Sequence, residues 1–429
     1  MTAITVRETR KRKSPLIAAA GLEHPRDTAS SHALIVQAWV AGAERVPDRF
    51  RIQSGGRTLR DGPLNMPRPD VPASLGAELE GVTHGFRTGV TLLGLPQELT
   101  VSIQVAFGND YVELWEVDLT RQPLAGGKEG MQPLLLTTLG RTGSSLMMSV
   151  LEAHPEVAAA PVWTGPGEMR LLMYWVDVLR TLAAPTRYFN AVVPERAGQP
   201  GWALEDSDRS LSYPLDDEGI ARALHVDQVE FAADLARRHI ASFYNEIATL
   251  SSKADPRFFA EKFLPGALVE ATAVELYPGA RQLVLVRDFR DMVASILAFN
   301  AKRARDGFLR QSGQTDEEWI LSLGGSVRLL ANSASRPKMS TSVVRYEDLV
   351  RTPERVLTGL LDEIGLRRDD EILARLIEVV ESRSSKSDAH RTVSDTEASI
   401  GRWQSDLTPS AQKACHEAFG DALAQFGYS

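Results

Sequence analysis

An arginine set between two glycines, with an apolar run before it and a leucine-rich run after it, concentrates anion chemistry at one point of this chain. Pro133-Leu134-Leu135-Leu136-Thr137-Thr138-Leu139 leads into Gly140-Arg141-Thr142-Gly143-Ser144-Ser145-Leu146. Glycine lets a backbone approach an oxyanion closely, and a helix start offers unpaired amides at the positive end of its dipole. Arg141 adds a fixed charge, while Ser144 and Ser145 add hydroxyl donors. These residues make a phosphate cradle; an ordinary strand-to-helix turn uses the same small residues, so the segment alone leaves both readings open. A P-loop nucleoside triphosphatase would place Gly-Lys-Ser or Gly-Lys-Thr after a glycine and four residues, and no such lysine stands here.

A second anion site is spelled further on. The apolar run Gln282-Leu283-Val284-Leu285-Val286 ends in Arg287-Asp288-Phe289-Arg290-Asp291, and a helical pattern carrying Ser295 follows. A guanidinium forks two bonds onto a phosphate, and Ser295 falls on the second or third helical turn, within reach of the same anion. A solvated Arg-Asp cluster closing a strand is the plain alternative.

Charged residues at the carboxyl ends of buried parallel strands lie where open α/β sheets bind ligands. The texture from residue 131 to 429 predicts such a sheet, with short apolar runs alternating with long helical stretches. Helices are expected at Ser145 to Glu152, Gly167 to Leu182, Val229 to Leu250, Met292 to Phe299, Pro353 to Ile364, Asp370 to Glu381 and Pro409 to Phe426. From Ala33 to Leu119 the period is that of strands, with turn clusters at Ser54-Gly55-Gly56, Pro67-Arg68-Pro69-Asp70 and Gly108-Asn109-Asp110, which predicts a small all-β sandwich over residues 31–120. Its Arg68-Pro69-Asp70-Val71 and Gly85-Phe86 segments resemble immunoglobulin-like modules attached to bacterial carbohydrate-active enzymes; a packing or oligomerisation module without ligand is the open alternative. A linker over 121–130 joins the two regions. Residues 1–30, with Arg7, Arg10, Lys11, Arg12 and Lys13, predict a basic flexible tail whose apolar patch is too brief for a secretory signal.

Composition excludes several classes of function. The 429 residues carry a formal net charge of −8, so no general field draws the chain to nucleic acid or an anionic membrane. The sole cysteine, Cys415, excludes an internal disulfide, removes the usual zinc clusters and fits a reducing compartment. No run approaches the roughly 18 uninterrupted apolar residues of a membrane helix. The expectation is a cytoplasmic protein with no membrane span.

Arg141 to Ser145, the leucine helix after it and His154-Pro155-Glu156-Val157 resemble the phosphosulfate loop of the sulfotransferase family, in which Arg-Ser-Gly-Thr-Thr or a variant precedes a leucine-rich helix and a His-Pro. Arg287 to Asp291 with Ser295 resembles that family's site for the donor 3′-phosphate. Val343-Val344-Arg345-Tyr346-Glu347-Asp348-Leu349 resembles its strand whose tyrosine borders the nucleotide, and Ser399-Ile400-Gly401-Arg402-Trp403 its C-terminal strap with a basic residue over the phosphates. The resemblance spans about 300 residues in the family's order, and implies a P-loop-like sulfotransferase fold. It also implies the donor 3′-phosphoadenosine 5′-phosphosulfate, the product adenosine 3′,5′-bisphosphate and no metal. Carried over residue by residue, the donor contacts are Gly140, Arg141, Thr142, Gly143, Ser144, Ser145, Leu146, Arg287, Ser295, Tyr346, Ser399 and Arg402. Arg141 takes the leaving-group role, assisted by Lys262 in Phe258-Phe259-Ala260-Glu261-Lys262. The base that takes the acceptor's proton is expected at Glu168, which resembles a Glu-x-Arg pair of protein-tyrosine members; His154 and His390 are the alternatives. The acceptor hydroxyl is expected on a carbohydrate or glycan, an expectation motivated by the appended β region, with a protein tyrosine or a small metabolite as the alternatives. A P-loop-type kinase or nucleotide hydrolase, and a non-catalytic nucleotide or glycan binder, are the rival readings.

Overall fold

The computed structural model describes residues 4–25, 28–29, 32–64, 66–68, 70–76, 83–160, 170–183, 227–303, 310, 313–335, 337–382 and 397–428. The chain divides into two compact units, Met1–Ala125 with Trp175–Leu235 and Gly126–Tyr174 with Ala236–Ser429.

Strand alternation builds the β part of the first unit. In Ala33–Gly42, Leu34, Val36, Ala38 and Val40 are buried on one face, while Gln37 and Trp39 on the other are only partly covered. A six-stranded antiparallel sheet runs in the order Thr28–Ala29, Ile4–Lys11, Asp110–Arg121, Glu98–Phe107, Arg49–Ser54, Arg57–Pro63. A four-stranded one runs Ile17–His24, Ala33–Gly42, Thr83–Thr91, Met66–Pro67. Phe50 of the first sheet stacks on Phe86 of the second with ring centroids 4.1 Å apart, so the apolar faces of the two sheets meet there.

The basic N-terminal stretch departs from the flexible tail expected over residues 1–30. Ile4–Lys11 pairs with Asp110–Arg121, and Ile17–His24 with Ala33–Gly42. The cause is charge complementarity across strands far apart in sequence: Arg10 meets Glu116 and Asp118, and Arg12 meets Glu113 and Glu116. Opposite charges placed this way favour the pairing of the strands, and Ile4 adds a fully buried anchor.

The second unit holds a parallel sheet in the strand order Val157–Ala159, Phe258–Phe263, Gln132–Thr137, Arg281–Val286, Ser340–Arg345. Its three central strands are buried almost throughout, as a sheet covered on both faces requires. Leu283 and Leu285 enter one apolar cluster with the helices Ser144–Ala153, Pro353–Ile364 and Asp370–Glu381. Val284 and Val286 enter another with Phe289–Arg303, Asp316–Ser335 and Pro409–Gln425. Thr137 is in register with Phe263 on one side, while Val286 is in register with Arg345; Thr137 also faces Val284. The carboxyl ends therefore lie side by side. From adjacent strands, the helix after Thr137 goes to one face and the helix after Val286 to the other, which is the arrangement that opens a crevice for a ligand.

The predicted helices stand within a few residues of expectation where they are described, with two differences of substance. Tyr346 opens the short helix Tyr346–Arg351 and is not part of the strand, which ends at Arg345. Asp316–Ser335 is a helix that the sequence pattern did not announce, because Gly324, Gly325 and four serines dilute its apolar stripe. Packing supplies the reason for one glycine: a Cβ on Gly324 would stand 3.1 Å from the Ala418 carbonyl oxygen. Among the described residues no helix is long and apolar enough to cross a membrane.

Candidate functional site

The cradle is the turn between strand Gln132–Thr137 and helix Ser144–Ala153, and it is braced on the neighbouring strand. The Thr138 hydroxyl donates to the Leu285 carbonyl at 2.8 Å and stands 2.5 Å from the Thr142 hydroxyl, which donates to the Leu139 carbonyl at 2.9 Å. Arg141 adopts a left-handed φ of 66°, a conformation that costs a non-glycine residue about 1–2 kcal/mol. Its side chain turns to the helix Phe289–Arg303, where Nε donates to Ser295 Oγ at 3.2 Å and the guanidinium carbon lies 4.8 Å from the Phe299 ring centre. Gly143, at φ 90°, is the N-cap, and among the described residues no side chain caps this helix start. A Cβ there would lie 2.4 Å from Tyr346 Cδ2, so only glycine lets the cradle and Tyr346 close on each other.

Arg287 leaves the end of strand Arg281–Val286 and is 5% exposed. One terminal nitrogen donates to the Arg141 carbonyl at 3.0 Å and the other to the Ser399 carbonyl at 2.6 Å. Among the described residues its Nε is buried with no hydrogen-bond partner, an unmet donor where an anion is expected. The guanidinium stands 4.8 Å from the Tyr346 ring centre, and the Tyr346 hydroxyl lies 3.3 Å from Ser399 Oγ. Arg141, Gly143, Arg287, Ser295, Tyr346 and Ser399 thus come together in the second unit. Gly140, Thr142, Ser144, Ser145 and Leu146 are carried with them by the same turn and helix start.

Lys262 is buried near the end of strand Phe258–Phe263 and reaches Ser145 Oγ at 3.5 Å, which brings a second cation to the cradle. Arg402 is turned to Asp406, to which its Nε donates at 2.6 Å. Glu168 and His390 lie outside the described residues. His154 is buried and built into the scaffold: its Nδ1 accepts from the Glu156 amide at 3.1 Å, so Nε2 carries the proton toward the Arg367 carbonyl at 2.9 Å. Burial holds its pKa below the usual histidine value, which fits a neutral packing residue rather than a base.

Three acids hold this centre, and their roles were not evident from sequence. Glu347 accepts the Asp288 amide at 2.9 Å and the Tyr428 hydroxyl at 2.7 Å. Asp288 takes the Arg290 guanidinium through both oxygens. Glu261 is fully buried in the strand beside Lys262, accepting the Tyr244 hydroxyl at 2.7 Å and the Leu172 amide at 3.0 Å. Burial raises its pKa to about 7 against the opposing pull of those donors. An acid inside an apolar strand was the available signal for Glu261; Glu347 stood in plain view next to Tyr346. Among the described residues no cluster of three or more His, Cys, Asp or Glu side chains is placed to hold a metal ion.

The model of the sulfotransferase family matches residues 133–370, more than half of the chain. No curated protein matches it. Similar solved structures include a sulfotransferase domain from the curacin biosynthetic pathway, 16% identical, covering 71% of this chain and 99% of its own, at a TM-score of 0.37. The sulfotransferase domain of the Synechococcus PCC 7002 olefin synthase is 19% identical, with 72% and 99% covered and a TM-score of 0.36. The mouse sulfotransferase SULT7A1 complexed with PAP is 12% identical, with 71% and 91% covered and a TM-score of 0.37.

Proposed function

The chain belongs to the sulfotransferase family, and from that premise we propose that it moves the sulfuryl group of 3′-phosphoadenosine 5′-phosphosulfate onto an acceptor hydroxyl, leaving adenosine 3′,5′-bisphosphate. The single observation that carries the donor assignment is the buried Nε of Arg287, which has no partner among the described residues, beside Arg141 and Ser295. A guanidinium with an unmet buried donor is compensated by a phosphate. In this reading Arg287 and Ser295 hold the 3′-phosphate, while the uncapped helix start with Ser144 and Ser145 faces the 5′ end. Lys262 and Arg141 supply the positive charge where negative charge builds on the leaving oxygen, the term that dominates transfer chemistry of this kind. Tyr346 borders the nucleotide, and Ser399 and Arg402 belong to the strap that closes over it.

Glu168 is the base we assign for the acceptor proton. Glu168→Gln is expected to leave donor binding intact and slow turnover by on the order of a hundredfold, and near-normal turnover moves the base elsewhere. A carbohydrate or glycan is the acceptor class we favour, on the strength of the appended β unit; protein tyrosine and small metabolites are the competing classes. The test is transfer of labelled sulfate from the donor to a panel drawn from all three. Donor binding without transfer to any acceptor would instead favour the non-catalytic binder.

A further inference from the structure

The segment Glu397–Asp406 is held against the arginine cluster by contacts that a phosphate grip does not require. Asp291, in the first turn of helix Phe289–Arg303, is fully buried. One carboxylate oxygen accepts the Gly401 amide at 2.7 Å and the other the Trp403 amide at 2.9 Å. Gly401 has a left-handed φ of 77°, a conformation glycine adopts without steric cost, and the turn it makes presents both amides to one carboxylate. The Trp403 ring lies 4.0 Å from the guanidinium carbon of Arg290, which is itself forked onto Asp288. At the other end of the strap the Ser399 carbonyl rests on Arg287. Burial pushes the Asp291 carboxyl above its usual range, while the two amides and Arg287 pull it down. The strap amides are therefore the main compensation this buried charge receives.

We propose that Asp291 is a positioning residue that latches the strap at residues 399–403 onto the Arg287 cluster, and so sets how fast the donor nucleotide and its product leave. The proposal rests on the donor assignment above. Because the strap carbonyl and the assigned phosphate share Arg287, loosening the strap loosens one side of the nucleotide site. An amide in place of the carboxylate offers one accepting oxygen where two are used.

Hydrogen exchange on the full-length chain, with and without adenosine 3′,5′-bisphosphate, tests the latch together with stopped-flow dissociation of that nucleotide. The Gly401 and Trp403 amides of the wild type are expected to be protected without nucleotide. In Asp291→Asn both should exchange faster while the parallel-sheet amides stay unchanged. Nucleotide dissociation should then accelerate by roughly tenfold, the scale of one lost bond to a charged acceptor, and the donor KM should rise by more than kcat falls. Wild-type exchange at unstructured rates, retained protection in Asp291→Asn, or lost protection with unchanged dissociation would each overturn the latch. Trp403→Ala removes the ring from Arg290 but keeps both amides, so protection should survive in it, and this arm decides the matter if Asp291→Asn does not fold. Loss of protection in Trp403→Ala would transfer the role to the stacked ring. A wild type that binds no adenosine bisphosphate would overturn the donor assignment instead, and the exchange data would still report on the strap.

Discussion

Arg287 touches backbone from two distant segments and has a buried Nε without a partner among the described residues, so its removal should be felt at the ligand as well as in the fold. Arg287→Ala is expected to weaken adenosine 3′,5′-bisphosphate binding by roughly 2–4 kcal/mol, the cost of a lost charge-assisted phosphate pair; unchanged affinity in calorimetry would remove Arg287 from the nucleotide site. Glu261 carries a pH signature of its own. Its folded pKa of about 7 lies above the ordinary carboxylate value because it is buried, so the folded state binds the proton more tightly than the unfolded one. The stability this group contributes is then fully present below about pH 4.5 and is lost as pH rises through about 7. Relative to Glu261→Gln, the wild type should lose on the order of 3 kcal/mol across that window at most, measured as urea midpoints of both proteins at pH 5 and pH 8. A constant difference would mean that Glu261 titrates at its ordinary value. Sequence could name Arg287 from its place at a strand end; it could not show that Glu261 sits under a helix start, since Leu172 is 89 residues away.

At the scale of elements, the strand, turn and helix around Arg141 were legible because each part is encoded locally: an apolar run, two glycines and a leucine-rich stretch. The use of Gly143 was not, because its constraint comes from Tyr346, which belongs to another element. Gly143→Ala places a Cβ within 2.4 Å of that ring at a φ of 90°. It should destabilise the chain by roughly 1–3 kcal/mol and weaken nucleotide binding as the turn shifts, read by thermal melting and calorimetry. A variant as stable and as tight-binding as the wild type would show that the turn and Tyr346 yield freely. The same contrast explains the helix Asp316–Ser335. Its intrinsic pattern is weak, and it is held by Trp319, Ile320, Val327 and Leu330 packing into a core shared with helix Pro409–Gln425.

At the scale of the whole molecule, the first unit can be probed through its own core. Phe50→Ala removes the ring stacked on Phe86 and should cost about 3–5 kcal/mol, seen as a lowered melting transition. Phe50 belongs to the first unit and the residues assigned to the nucleotide to the second, so bisphosphate affinity measured below that transition is expected to stay at the wild-type value; a large loss would tie the β unit to donor binding. By itself the sequence determined what lies within a few residues along the chain: the period-two strands, the alternating apolar runs and helices, and the charged groups closing two strands. Those follow from local backbone geometry and side-chain period. Only the tertiary structure decided that Arg287 would rest on the Arg141 carbonyl 146 residues away and on Ser399 112 residues away, that Arg10 would pair in a sheet and that Arg12 would meet Glu113 and Glu116 just beyond it. Parallel pairing fixes which strand ends are neighbours, and that register is set by long-range burial and hydrogen bonding that no short stretch of sequence contains.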